Sequence, residues 1–226
     1  MKNNTRTLPV VIALLLILSC AGRAPEMSPQ KFYPNGGEIS LFDGEVLGYW
    51  GKSEYKYGGG IEVKDSCIFV GMGRELSGIT WNGPVLRMNY EINLDAIRLE
   101  GYDFFCGLTF PYDSTYCSLI IGGWDGSTMG LSNINDYDAA ENETTDYMPF
   151  NANQWYHIRL RVTKNRIAAW VDDNNIVDLN TTGKKINIRF DIEESLPLGI
   201  ASYQTKAAFK NITIKKIKSP AHPDGS

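Results

Sequence analysis

The sequence predicts an all-β fold, a single-domain two-sheet sandwich of the jelly-roll kind, and three observations carry that prediction. The stretch "WYHIRLRV" at 155–162 alternates: Tyr156, Ile158, Leu160 and Val162 fall on one face, and His157, Arg159 and Arg161 on the other. Turn residues "TKNR" and "DDNN" then separate it from "IAAWV" and "IVDL", the pattern of a three-stranded meander. No stretch beyond the N-terminal apolar run holds a helical period with caps, and the roughly 180 residues between the termini suit one sandwich core.

From the N-terminus, Lys2 and Arg6 precede an apolar run from Leu8 to Leu18 that is too short to span a bilayer. It reads as a signal peptide over residues 1–19. The junction "ILSCA" is similar to a bacterial lipobox, which would put lipid, including palmitate, on Cys20 and hold the protein at the cell envelope by a membrane anchor; plain secretion is the alternative. Residues 20–38, with three prolines in "AGRAPEMSPQKFYPNG", read as a tether, residues 39–217 as the domain and residues 218–226 as a disordered tail. Losing Lys2 and Arg6 with the signal leaves 20 basic side chains against 26 acidic ones, with no basic block, which excludes nucleic acid as a partner.

The domain's strands follow in order. "ISLFDG", "GIEVKDSCIFVGM", the alternating "YEINLDA", "DFFCGLTF" and "TYCSLIIGGW" precede the meander, and "PLGIASYQ" and "FKNITIKKI" follow it, about a dozen strands in all. Cys67, Cys106 and Cys117 sit among apolar residues with no CxxC spacing. They read as buried thiols, with one disulfide left open.

The opening "ISLFDGEVLGYW", the hairpin "WYHIRLRVTKNRIAAWVDDNNIVDLN" and the ending "LPLGIASYQTKAAFKNITIKKI" together resemble the concanavalin A-like jelly roll of the 3-keto-disaccharide hydrolase family, over residues 39–217. That resemblance implies a secreted or lipid-anchored bacterial protein acting on glycosides or 3-keto-glycosides. It also implies a sugar-facing Asn-Ser-Gly strand ending in arginine, beside a Glu-x-Gln strand. Here Phe105 and Cys106 stand for Asn-Ser, Pro111 for the arginine, and Cys117 and Leu119 for the glutamate and glutamine. A non-catalytic glycan-binding or scaffold module of the same fold therefore stays open beside the hydrolase.

A sugar site needs a flat apolar surface for the C–H face and polar groups for the hydroxyls. Trp124 and Asp125 follow an apolar strand and precede a glycine turn, which places them at a sandwich rim. The loop "DYDAAENETTDY" at 136–147 carries five carboxylates, among them Glu141 and Glu143, with Asn142 and Thr144 beside them. Glu141, Glu143 and Asp125 are thus candidate acid and base groups, and Trp124, Asn142 and Thr144 candidate sugar contacts. Three readings of the loop stay open: glycan-facing, solvated, or calcium-binding without any other cofactor. An EF-hand is excluded, because with Asp136 as position one Ala140 takes position five and Tyr147 position twelve. His157, alone on a polar strand face, makes no zinc site, and no nucleophile elbow occurs. Tyr203 and Gln204 join the site by the resemblance, which places a glutamine on the sugar-facing sheet.

Replacing Cys20→Ser is expected to move the protein from the membrane to the soluble fraction; a variant that loses its signal peptide yet stays in the membrane fraction overturns the anchor.

Overall fold

The computed structural model describes residues 29–33 and 37–218; the signal-like run, Cys20 and residues 219–226 lie outside the described residues. Fifteen strands form among them: β1 (Glu38–Ser40), β2 (Trp50–Lys52), β3 (Ile61–Lys64), β4 (Cys67–Val70), β5 (Leu76–Trp81), β6 (Tyr90–Gly101), β7 (Cys106–Tyr112), β8 (Thr115–Gly123), β9 (Thr128–Ser132), β10 (Asp146–Tyr147), β11 (Trp155–Thr163), β12 (Arg166–Val171), β13 (Asn174–Asn180), β14 (Gly199–Tyr203) and β15 (Thr205–Lys216). An eight-stranded antiparallel sheet runs β13-β12-β11-β6-β15-β4-β3, with β1 also on β15, and a seven-stranded sheet runs β10-β9-β8-β7-β14-β5-β2.

Period-two alternation decides which face of each strand meets the other sheet. On β11 and β6 the inward set is Ile158, Leu160 and Val162 with Ile92 and Leu94; on β7 and β8 it is Leu108 and Phe110 with Leu119 and Ile121, each at most 1 % exposed. Each such side chain stabilises the sandwich by about 1.5–3 kcal/mol relative to water. The expected meander forms as β11, β12 and β13, with Ile158 opposite Val171 and Ile167 opposite Leu179.

Four strands were not anticipated: β2, β5, β9 and β10. Glycine breaks the pattern of β5 ("LSGITW") and β9 ("TMGLS"), and β10 is two residues long. A helical turn, Pro29–Phe32, lies inside the stretch read as tether, and it seats Tyr33 in the core, where its hydroxyl donates to the Pro84 carbonyl at 2.5 Å. Phe32 packs edge-on against Tyr33, Tyr49 and Trp81.

The three cysteines among the described residues are buried and free. Cys106 faces Ile121 and Cys117 faces Phe110, so the two thiols of β7 and β8 are not opposite each other and no bridge joins them. Burial pushes the Cys106 thiol well up and the Cys117 thiol to about 12.

Glu91 is the one acidic residue of β6 that is fully buried, and Arg161 and Lys215 flank it, each with a nitrogen 2.7 Å from its carboxylate. Burial alone would raise its pKa, but hydrogen bonds from Lys215 and Arg161 outweigh that and hold it below the usual glutamate value. A depressed folded-state pKa contributes stability above the unfolded value, about pH 4.3, that is lost as pH falls through the folded value. Glu91→Gln is therefore expected to cost about 2 kcal/mol in urea unfolding at pH 7. The gap to the unsubstituted protein should close as pH falls below about 4, and a gap independent of pH would remove the ion triad as its cause.

Candidate functional site

The outer face of the seven-stranded sheet carries small and polar side chains because the alternation sends the large ones inward. Thr109 of β7 and Ser118 of β8 share a hydrogen bond of 2.9 Å there, with Ile120 and Ser132 beside them in the floor of a cleft of about 320 Å³. Gly107 leaves room for the Phe104 ring, since a Cβ would stand 2.9 Å from it. The positions matched to the family's polar motif point the other way. Cys106, Cys117 and Leu119 face the core, and the outward positions are Gly107, Thr109, Ser118 and Ile120, of which Ser118 and Ile120 line the cleft. No floor position of these two strands carries a carboxylate or guanidinium.

Charge enters the cleft from its rim. Asp103, in the β6–β7 connection, accepts the backbone N–H of Phe104 at 2.7 Å and of Trp124 at 3.0 Å through one oxygen, Oδ1. Burial holds its carboxyl above the ordinary aspartate value against those two bonds, and nearby Asp125 adds to the rise. The anchored Trp124 sits at φ +55° in the β8–β9 turn, 45 % exposed, with Phe104 and Tyr203 also lining the cleft. Behind this turn, Arg98 projects inward from β6 over the Phe105 ring and donates to the carbonyls of Tyr102, Gly126 and Phe150.

The opposite wall is a 3-10 helix, Phe190–Ser195, with Arg189 just before it. Tyr55 and Ser195 hydroxyls meet at 2.6 Å and Thr80 donates to the Glu194 carbonyl at 2.6 Å, which pins the helix to the sheet. Arg189, Asp191 and Ile192 line the cleft from there. Arg189 is held by Asp191 and by Asp138 at 3.0 Å each.

The acidic loop is therefore a brace for that wall. Asp138 holds Arg189, Asp136 pairs with Lys185 and accepts from Asn187, and Glu143 pairs with Lys184 at 2.5 Å. Asn142 is its internal hub: its amide donates to Leu131, Tyr137 and Asp138 carbonyls, and its oxygen accepts from Thr144. Thr144 in turn accepts the Leu131 N–H while buried. Asn142 and Thr144 thus spend their polar atoms on the loop rather than on a ligand. Glu143 and Thr144 line a separate depression of about 510 Å³ beside β13, and Glu141 is exposed and lines neither hollow.

Of the residues read from the sequence, Trp124 and Tyr203 meet in the cleft. Asp125 caps its own turn, accepting from the Ser127 N–H and hydroxyl, which lower its pKa. Gln204 donates to the Arg74 carbonyl from the tight β14–β15 turn at φ +43°. For the calcium reading of the loop, Lys184, Lys185 and Arg189 pair with three of its five carboxylates, Glu143, Asp136 and Asp138, and no group of three or more metal-ligating side chains occurs among the described residues. Sequence reasoning missed Asp103, Arg189 and Asp191. Asp103 directly precedes the strand "FFCGLTF" and Arg189 falls between the meander and β14, where only the alternating charges of "NIRFDIEES" mark the wall.

The model of the 3-keto-alpha-glucoside-1,2-lyase-like domain matches residues 37–215. No curated protein matches the chain. Among solved structures, a Bacillus subtilis protein of unknown function with a galectin-like fold superposes with a TM-score of 0.55 at 10% identity, covering 83% of this chain and 100% of its own. Crh5 transglycosylase in complex with NAG gives 0.54 at 11%, covering 82% and 85%, and the carbohydrate-binding module CBM66 from Bacillus subtilis gives 0.50 at 13%, covering 74% and 96%. At these identities the likeness is one of fold, and it agrees with the sandwich described above.

Arg98→Met keeps the stem but strips the Tyr102, Gly126 and Phe150 carbonyls of their donor. The expected cost is about 2–4 kcal/mol of stability, with faster hydrogen exchange at Trp124 and Gly126 than at β11. Uniform exchange changes across the domain would show that Arg98 does not act on this turn.

Proposed function

The chain belongs to the 3-keto-alpha-glucoside-1,2-lyase-like domain family, and from that premise we propose that it binds a glycoside in the Trp124 cleft and cleaves the glycosidic bond when the sugar carries a ketone at C3. One observation carries the reading: a carboxyl raised by burial, Asp103, lines the same cleft as the Arg189 guanidinium and the exposed Trp124 ring. A ketone at C3 acidifies the C2–H bond, so a positioned carboxylate can take that proton while a cation holds the oxygen on which charge develops. Asp103 is the base and Arg189 the enolate-stabilising group. Expulsion of the C1 oxygen restores the ketone and forms a C1–C2 double bond, to which water then adds. Trp124 and Tyr203 offer aromatic surface for the ring's C–H face. We place the protein at the cell envelope, lipid-anchored through Cys20, where such glycosides arrive from outside.

The test is kinetic. Asp103→Asn keeps an acceptor oxygen for the Phe104 and Trp124 N–H groups but cannot take a proton, so turnover of a 3-keto-glycoside is expected to disappear while binding remains. Trp124→Ala is expected to weaken binding by about 1–3 kcal/mol. Glu141→Gln with Glu143→Gln should leave both unchanged, since neither glutamate lines this cleft. If Asp103→Asn binds as the unsubstituted protein does and no 3-keto-glycoside is turned over by either, the cleft belongs to a binding module.

Because burial raises the Asp103 pKa, the ionised base appears at higher pH than an ordinary aspartate would give. The acid limb of kcat/KM is accordingly expected above the ordinary value of about 4, with activity falling as pH drops through it. A flat profile down to pH 4 removes Asp103 as the base.

A further inference from the structure

One end of the sandwich gathers the N-terminal turn and loops that take no part in the cleft. The Tyr33 hydroxyl donates to the Pro84 carbonyl, the Asn82 N–H to the Tyr49 carbonyl at 2.9 Å, and the Ile217 N–H to the Asn89 carbonyl at 2.9 Å. These bonds bring the 43–49 loop, the 82–89 loop and the end of β15 together. The Asp103 and Trp124 rim of the cleft lies at the other end. Strand β6 measures the separation: it starts here at Tyr90 and ends at Gly101, just before Asp103, roughly 35 Å away at about 3.3 Å per residue.

Val46 is the exception on this surface. Of the valines, leucines and isoleucines among the described residues it is the only exposed one, at 60 %, and Tyr49 of the same loop is 45 % exposed. The loop holds both outward. Asp43 accepts the N–H groups of Glu45 and Val46 at 2.8 and 2.9 Å, and the Tyr49 ring rests against Phe32 and Trp81, with centroids at 5.8 and 5.2 Å. Charges at this end are of both signs, among them Asp43 and Glu45, Lys31 and Lys218, so the apolar side chains decide what it prefers. The chain itself says what lies opposite. Pro29, where the turn begins, is nine residues from Cys20, a reach of at most about 32 Å.

We propose that this end is a membrane-docking surface, with Val46 and Tyr49 resting in the headgroup region of the bilayer that holds the Cys20 lipid. The inference rests on the anchor at Cys20 and adds an orientation to it. Two apolar side chains bind a bilayer weakly by themselves, but a tether this short keeps them at a high local concentration of lipid. A weak contact is then enough to choose which end of the domain faces the membrane. With this end on the bilayer, the Asp103 and Trp124 rim stands about the length of β6 away from the headgroups. It is open there to a glycan too large to pass between domain and lipid.

The full lipidated chain in phosphatidylcholine vesicles, carrying the fluorophore NBD on Val46→Cys or on Tyr102→Cys, tests this. Tyr102, 87 % exposed and next to Asp103, marks the cleft end, and Cys67, Cys106 and Cys117 are buried away from the label. Nitroxide lipids are expected to quench position 46 about fivefold more than position 102, equally in low and high salt. Adding Tyr49→Asp should at least halve the quenching at position 46 and leave flotation with the vesicles intact, since the lipid alone holds the chain. Equal quenching at the two positions in a chain that floats overturns the docking and leaves the anchor standing; a chain that does not float overturns both. Quenching lost in high salt, an unchanged signal with Tyr49→Asp, or a position 46 that becomes shielded in vesicle-free Cys20→Ser protein as its concentration rises would each overturn the docking, the last by giving this end to a second copy of the chain.

Discussion

A guanidinium at an inward-facing position of a sandwich strand is the constraint on which the cleft rests. Arg98 occupies such a position near the end of β6, where the two sheets part and their connections meet. Burial disfavours its charge, and it finds no carboxylate at ion-pair distance among the described residues. It is solvated instead by the carbonyls of Tyr102, Gly126 and Phe150. Those carbonyls belong to three different connections, so one side chain fixes the β6–β7 turn that carries Asp103, the β8–β9 turn that carries Trp124, and the approach to β11. The space is tight: at Gly126, with φ +89°, a Cβ would lie 2.8 Å from an Arg98 nitrogen and 2.6 Å from the Tyr102 oxygen. The strained Trp124 backbone persists because Asp103 and Arg98 hold the turn from both sides.

Alternation was legible wherever a strand is half-buried, and for that reason β6, β11 and β15 could be read from residues alone. Where both faces of a strand are covered the signal disappears. On β8 every residue from Cys117 to Gly123 is buried, so the sequence offers no parity to tell the core-facing Cys117 and Leu119 from the outward Ser118 and Ile120. Trp124 was legible because an aromatic between glycine turns has few places to go but a rim.

Its electrostatic setting was not legible. Three of the five carboxylates of the 136–147 loop look unanswered in sequence because their partners, Lys184, Lys185 and Arg189, lie 41 to 51 residues further on. Asp103 gained its role only through contact with a backbone N–H 21 residues away. Local composition identified an unusual loop; tertiary pairing turned it into the strut behind a cleft wall.

The buried thiols bear on where and when this domain can fold. Cys106 and Cys117 are sealed between the sheets with their protons held far more tightly than in a free thiol, so almost no thiolate is present to be oxidised, exchanged or alkylated. Cys67, also buried, has its thiol pushed up by burial on the other sheet. With no covalent bridge in the described sandwich, its native state owes nothing to an oxidant or a disulfide isomerase. It is redox-silent: the same packing is reached in a reducing or in an oxidising compartment, and neither glutathione nor peroxide has an easy handle on the finished core.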